Sequence, residues 1–279
     1  MALIQLTSPL RNGLLAVGAL LTVMAPSLPT QAADLISALN AKLAKVSDGE
    51  NILINKTLAR SLYLEKVKIK SHGIDFLNGC KASKINKHAQ LPDASLPVTQ
   101  YRGFTIVGSP YHSVPIKTGQ NNNAVYFKRL MSALKIIEDR APDTFNVISK
   151  TMKRKNGYII VDNVCPTSGG LAFAAFIPRK SMDRFVVMVS STLLLLPDMF
   201  SDYDIAAQLV HEMEGHAMDF YRRGTTDESH AFTVQAAFAE TVGDDRFLDV
   251  NNRTVNIKTK VKLMLSSVGT YVDRKPTLK

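Results

Sequence analysis

The sequence predicts an α+β fold: one domain with a mixed or antiparallel sheet packed on helices, and a histidine-bearing helix at its centre. Three observations point there. "GYIIVDN", "GGLAFAAFIP" and "RFVVMVSSTLLLL" are short apolar runs, rich in β-branched residues, that read as strands. Stretches with helical periodicity lie on both sides of them. The 279 residues contain no internal repeat, no low-complexity tract and no linker long enough to force two domains.

Taken in order, the chain begins with "MALIQLTSPLRN", which carries one basic residue, Arg11, followed by a 13-residue apolar run, "GLLAVGALLTVMA", and then "PSLPTQAA". Such a run is too short to cross a bilayer comfortably, and the layout is that of a secretory signal peptide over residues 1–33, with cleavage near Ala33. The expected location is therefore secreted or periplasmic. Beyond it no run reaches the roughly 20 apolar residues that a membrane helix needs, so no transmembrane span is expected once the signal is removed. Residues 34–279 then form a single domain, in which 34–97 is a possible N-terminal subdomain or propeptide.

"DLISALNAKLAKV" has helical spacing, and residues 51–91 read as strands or short helices. "LPDASLP" marks a loop and "YRGFTIVGSP" a strand. Asn122 or Asn123 is placed to cap the helix "AVYFKRLMSALKIIEDRA", which Pro142 ends, and "DTFNVISKTMKRK" supplies another short helix. After the three strands, "PDMFSDYDIAAQLVHEMEGHAMDFYRR" opens with a Ser-Asp cap and continues as a long helix. Gly224 breaks it, and "DESHAFTVQAAFAETVGDD" forms a second helix carrying acids.

Without Arg11, 33 basic residues face 24 acidic ones, a net charge of about +9. Neither a basic helix with aromatic spacing nor a phosphate-cradling glycine loop accompanies it, so no specific nucleic-acid partner is expected. Attraction to an anionic envelope surface is sufficient use for the charge. In an oxidising compartment an even cysteine count favours a disulfide between Cys80 and Cys165, closing a loop of about 85 residues worth roughly 4.5 kcal/mol in the chain-entropy model; the alternative is two separate buried thiols.

The chemistry concentrates in "HEMEGH", residues 211–216. Histidines at i and i+4 lie about 40° apart around an α-helix and can share one metal ion, with an intervening glutamate as general base. His211 and His216 are five apart, roughly 140° on a regular helix, which cannot chelate through both. A π-type bulge absorbs one residue and restores convergence. Gly215, with no side chain where the backbone must deform, is suited to it. The alternative is a regular helix on which Glu212 and His216 pair at i,i+4 across a polar face.

HEMEGH resembles the HExxGH motif of the dipeptidyl peptidase III family at all four defined positions, over six residues. A looser resemblance covers residues 145–245: strands, a cap, the HE-containing helix and a second acidic helix, the order of the catalytic core of zincin metallopeptidases. The resemblance implies a zincin-like (gluzincin-like) core over 98–260, Zn2+ as cofactor, His211 and His216 as metal ligands and Glu212 as general base. It also implies a third ligand from a glutamate on the next helix, in an E-x-x-A setting. Glu228 in "ESHA" fits that setting; Glu240 is the competitor and His230 a distant third. Tyr221 and His230 are candidates for stabilising the transition state, and Asp219 for receiving a ligand histidine's second N–H. "GGLAFAAFIP" is either a cleft-lining strand that pairs with an extended substrate or a plain core strand.

The expected function is that of an exported zinc-dependent peptidase acting on a protein or peptide substrate. The alternatives are a non-catalytic secreted or envelope binding protein on the same scaffold, and a zinc amidase acting on cell-wall peptides.

Overall fold

A computed structural model of the protein describes residues 28–67, 94–109, 122–162, 174–177, 184–195, 197 and 200–243. Cys80, Cys165, the apolar run 13–25 and the glycines of "GGLAFAAFIP" lie outside the described residues. The chain runs α1 (Leu28–Leu43), β1 (Ile52–Ile54), α2 (Lys56–Val67), β2 (Leu96–Tyr101), β3 (Phe104–Val107), α3 (Asn123–Arg140) and α4 (Pro142–Arg154). It continues through β4 (Tyr158–Asp162), β5 (Ala174–Ile177), β6 (Val186–Ser190), α5 (Ser191–Leu195) and α6 (Asp202–Val210). A π-helical segment (His211–Met218), α7 (Asp219–Arg223) and α8 (Glu228–Thr241) complete it. The expected cleavage position near Ala33 falls within α1.

The fold is α+β with a mixed sheet of strand order β1-β2-β3-β4-β6-β5. β3, β4 and β6 run parallel, while β1, β2 and β5 join antiparallel. The central strands are buried on both faces, which explains their continuous apolar sequences. Alternate residues divide between two cores. Ile159, Val161, Val187 and Val189 face a core built with α3, α4, α5, α6 and the π-helical segment. Tyr158, Ile160, Val186 and Met188 face Ile36, Leu39, Leu43, Ala59, Leu62 and Tyr63 of α1 and α2. Hydroxyls tie this second layer down: Tyr63 reaches the carbonyls of Gly108 and Val161, and Tyr158 donates to Leu62 O at 3.0 Å. Among the described residues no helix is long and apolar enough to cross a membrane.

Three local expectations are corrected. The third strand stops at Ser190, and Ser191–Leu195 coil into α5. The switch follows composition, since the β-branched run gives way to leucines, which favour helix. Arg129, from α3, then donates to the carbonyls of Leu193 and Leu194 that end this helix and to Asp202 Oδ1 at the start of α6. The loop expected at 91–97 is strand from Leu96 onward, because β2 and β3 form a hairpin. Its two-residue turn places Arg102 and Gly103 both at positive φ, the geometry of a type I′ turn. Asn122 stands at the N-cap of α3, as one of the two expected positions, but neither asparagine makes a side-chain cap hydrogen bond. Asn123 instead binds the backbone of Ser109, its Oδ1 accepting from Ser109 N at 2.7 Å, which fastens α3 to the end of β3.

Candidate metal centre

α6 starts with a capping box. Ser201 Oγ accepts from Asp204 N, and Ser201 N donates to Asp204 Oδ2 at 2.8 Å. The helix then runs straight into the π-helical segment, which begins at His211 and holds all of HEMEGH. An i→i+5 ladder brings residues five apart onto one side. The two imidazoles accordingly face each other at 83°, with ring centroids 4.7 Å apart. Both histidines are buried.

Gly215 has a more specific role than easing the backbone. A Cβ there would lie 2.5 Å from Ala231 Cα and 2.7 Å from Ala231 Cβ on α8. Gly215 and Ala231 thus set the close approach of α8 to the π-helical segment, and Glu228, one turn before Ala231, is carried to the histidines. Its Oε1 lies 3.3 Å from His216 Nε2 and its Oε2 lies 3.5 Å from His211 Nε2. Donor atoms bound about 2.0–2.1 Å from a small tetrahedral cation stand about 3.3–3.4 Å apart. Each Glu228 oxygen stands about that far from one histidine nitrogen, so His211, His216 and Glu228 could hold a divalent ion between them. The donor atoms of His211, Glu212 and His216 also lie within 4.8 Å of one another.

The charges fit the same picture. Hydrogen bonds from His211 and His216 hold the half-exposed Glu228 carboxyl far below the usual carboxylate range, outweighing its partial desolvation. His216 titrates above the ordinary histidine range. Burial disfavours its charged form, but the Glu228 hydrogen bond and the negative charges of Glu212, Glu228 and Asp219 outweigh that. Positive charge is favoured at the point where the three side chains meet.

Glu212 is held at two points. Its Oε2 accepts from Phe176 N on β5 at 2.6 Å, and its Oε1 accepts from Gln208 Nε2 at 3.3 Å. β5 is the end strand of the described sheet, so the buried carboxylate lies beside a sheet edge. A carboxylate has about four lone-pair sites, so these two bonds leave room for another donor.

Several sequence-derived assignments take other places. Tyr221 donates to the carbonyl of Arg184 and packs among Phe176, Phe185 and Phe220, with Lys155 Nζ 5.1 Å from its ring centroid. Its hydroxyl is a tether. Asp219 accepts from Nε and Nη2 of Arg223, one on each carboxylate oxygen, which holds its carboxyl below the ordinary range despite burial. His230 acts on Asp219, where its charge helps lower that carboxyl. Glu240 is exposed in the last turn of α8, three turns beyond Glu228. The outer contact to a ligand histidine comes from a residue the motifs did not indicate: Gln235 Oε1 lies 3.1 Å from His211 Nδ1. An amide oxygen only accepts, so Nδ1 carries a proton at this contact, and with an ion bound Nε2 would be the nitrogen left to ligate it. The signal that could have found it is the spacing Glu228, Ala231, Gln235 (i, i+3, i+7), which puts all three on one face of α8. Comparison with protein-family models, with curated proteins and with solved structures finds no match.

Proposed function

We propose that the protein is an exported zinc-dependent peptidase with a zincin-like core. One observation carries the reading: the Nε2 atoms of His211 and His216 converge on a single carboxylate, Glu228, at 3.5 and 3.3 Å, with the buried Glu212 alongside. His211, His216 and Glu228 hold the ion, and two neutral imidazoles with one carboxylate form a ligand set that zinc hydrolases use. Zinc there would polarise a scissile carbonyl and bring the pKa of a water toward neutrality. Glu212 is the general base. It takes the proton from the attacking water and delivers it to the leaving amine. The Phe176 N–H and the Gln208 amide fix its carboxylate, so it needs little reorganisation when the proton moves. β5, the end strand of the sheet among the described residues, lies next to that base and would be the strand to receive an extended peptide, alongside the Phe176 N–H that Glu212 holds. Export rests on the layout of residues 1–33.

The test pairs metal analysis with peptide cleavage by wild type and Glu212→Gln. The expected result is close to one zinc per chain in both proteins and hydrolysis by the wild type that stops with a chelator and returns with zinc. Loss of general-base catalysis should slow Glu212→Gln by about 10²–10⁴-fold. A protein that takes up no metal sinks the proposal. Bound zinc with no cleavage of any peptide would leave a binding protein.

A further inference from the structure

The acceptor behind His211 is a neutral amide, and the peptidase reading gives it no role. Gln235 is only 8% exposed, and its Oε1 lies 3.1 Å from His211 Nδ1. It follows Glu228 by seven residues, two turns along the same face of α8. One helix therefore presents the carboxylate that meets both Nε2 atoms and, behind one of those rings, the oxygen that receives its other N–H. We propose that Gln235 is a positioning residue of the metal site, fixing the His211 tautomer with a bare Nε2 while adding no charge. The inference rests on the zinc reading above and names a further part of that site.

The absence of charge is the physical point. Ligating histidines need a partner for the second ring nitrogen, and a carboxylate there raises the donor strength of the ring. Glu228 as a ligand and Glu212 alongside together balance the charge of a divalent ion. A further carboxylate behind His211 would leave the site net negative and weaken the pull on a carbonyl or a water. Asp219, the acid whose sequence position suggested an outer contact to a ligand histidine, is bound to Arg223 instead. An amide orients the ring and leaves the charge of the site as it is.

The experiment uses the full-length protein with Gln235→Leu, Gln235→Met and Gln235→Glu. Zinc affinity is measured by competition with a chromophoric chelator. The exchangeable imidazole N–H resonances are read from the cobalt-loaded proteins. The Leu and Met variants, which cannot accept the proton, should bind zinc about 10–100-fold more weakly. They should also lose the His211 N–H resonance to solvent exchange and keep that of His216. Gln235→Glu should hold the resonance and bind zinc at least as tightly as wild type. Leu and Met variants that match the wild type in affinity and in both resonances overturn the inference. Equal losses in the Leu and Glu variants also overturn it, since the site would then need only the shape of glutamine. If the Leu variant fails to fold, the near-isosteric Met and Glu variants decide. A wild-type protein that binds neither zinc nor cobalt defeats the zinc reading itself; a metal-loaded wild type with unaffected variants defeats only the role of Gln235.

Discussion

Gly215 is a position where two effects of one substitution have opposite signs. Helix propensity alone makes Gly→Ala in a helix favourable by about 1 kcal/mol. Packing against Ala231 opposes it, because the new Cβ would stand 2.5 Å from backbone, which cannot swing aside. Overpacking of this kind costs typically about 1–3 kcal/mol, so the net effect of Gly215→Ala should be destabilising. It should also weaken zinc binding, since α8 must retreat and take Glu228 with it. Urea midpoints and chelator competition on the same variant check both, and a more stable protein with unchanged affinity would refute the close-approach account. Glu228 and Glu240 separate as cleanly. Glu228→Ala should cost at least the about 10–100-fold in zinc affinity that outer partners cost. Glu240→Ala, exposed three turns away, should leave zinc affinity unchanged in the same titration. At this scale the sequence displays what repeats a known spacing: His211, Glu212, His216 and the E-x-x-A of Glu228 and Ala231. Gln235 escaped because a neutral side chain inside an apolar helix carries no motif. Tyr221 and Asp219 were visible, but proximity along the chain did not reveal that Arg184 and Arg223 had already engaged them.

At the scale of elements, α6, the π-helical segment and α7 form one continuous rod whose pitch changes in the middle. The start of the rod was legible in the sequence, as Ser201 and Asp204 make the capping box that a Ser-x-x-acid pattern encodes. So was its widened turn, because a five-residue histidine spacing with a glycine inside has few other uses. The anchors of the rod were not legible, since they come from distant segments. Arg129 of α3 joins α5 to the first turn of α6, and Arg129→Met should lower stability by about 3 kcal/mol in urea unfolding, leaving several carbonyls unpaired. At the other end, the Asp219–Arg223 pair braces α7, and its dependence on pH has a definite sign. The folded-state pKa of Asp219 is depressed. Its contribution is thus fully present above the unfolded value of about 3.9 and is lost as pH falls through the lower folded value. Asp219→Asn should be less stable than wild type at pH 7, and the difference should close in strongly acidic solution. If Asp219 does not support a ligand histidine, zinc affinity at pH 7 should stay unchanged in this variant.

At the scale of the whole molecule, the layer beneath the sheet decides how much of the chain the candidate site needs. The sequence conveyed the class of fold, because buried runs such as "YIIV" and "VVMV" are hard to read except as central strands. It did not convey the strand order. That β5 folds back outside β6, and that β1 adds beside β2, depends on pairings between distant segments that local periodicity does not encode. For the same reason residues 34–97 looked separable. Ile36, Leu39, Leu43, Ile54, Leu62 and Tyr63 are buried against Tyr158, Ile160, Val186 and Met188, the reverse side of the strands that carry the site. Burial is worth about 2 kcal/mol for each large side chain, so losing six of them costs about as much as a typical domain stability of 5–15 kcal/mol. Removing 34–97 would also take away β1, one partner of each of the three hydroxyl tethers and the first residues of β2. A protein of residues 34–279 should therefore melt cooperatively and bind zinc. One of residues 98–279 should show no cooperative transition by circular dichroism, bind a hydrophobic dye and hold zinc no better than an unstructured histidine pair. A folded, zinc-binding 98–279 protein would mean that the first layer is dispensable, as a propeptide must be, and that the two-sided core does not bear the stability assigned to it here.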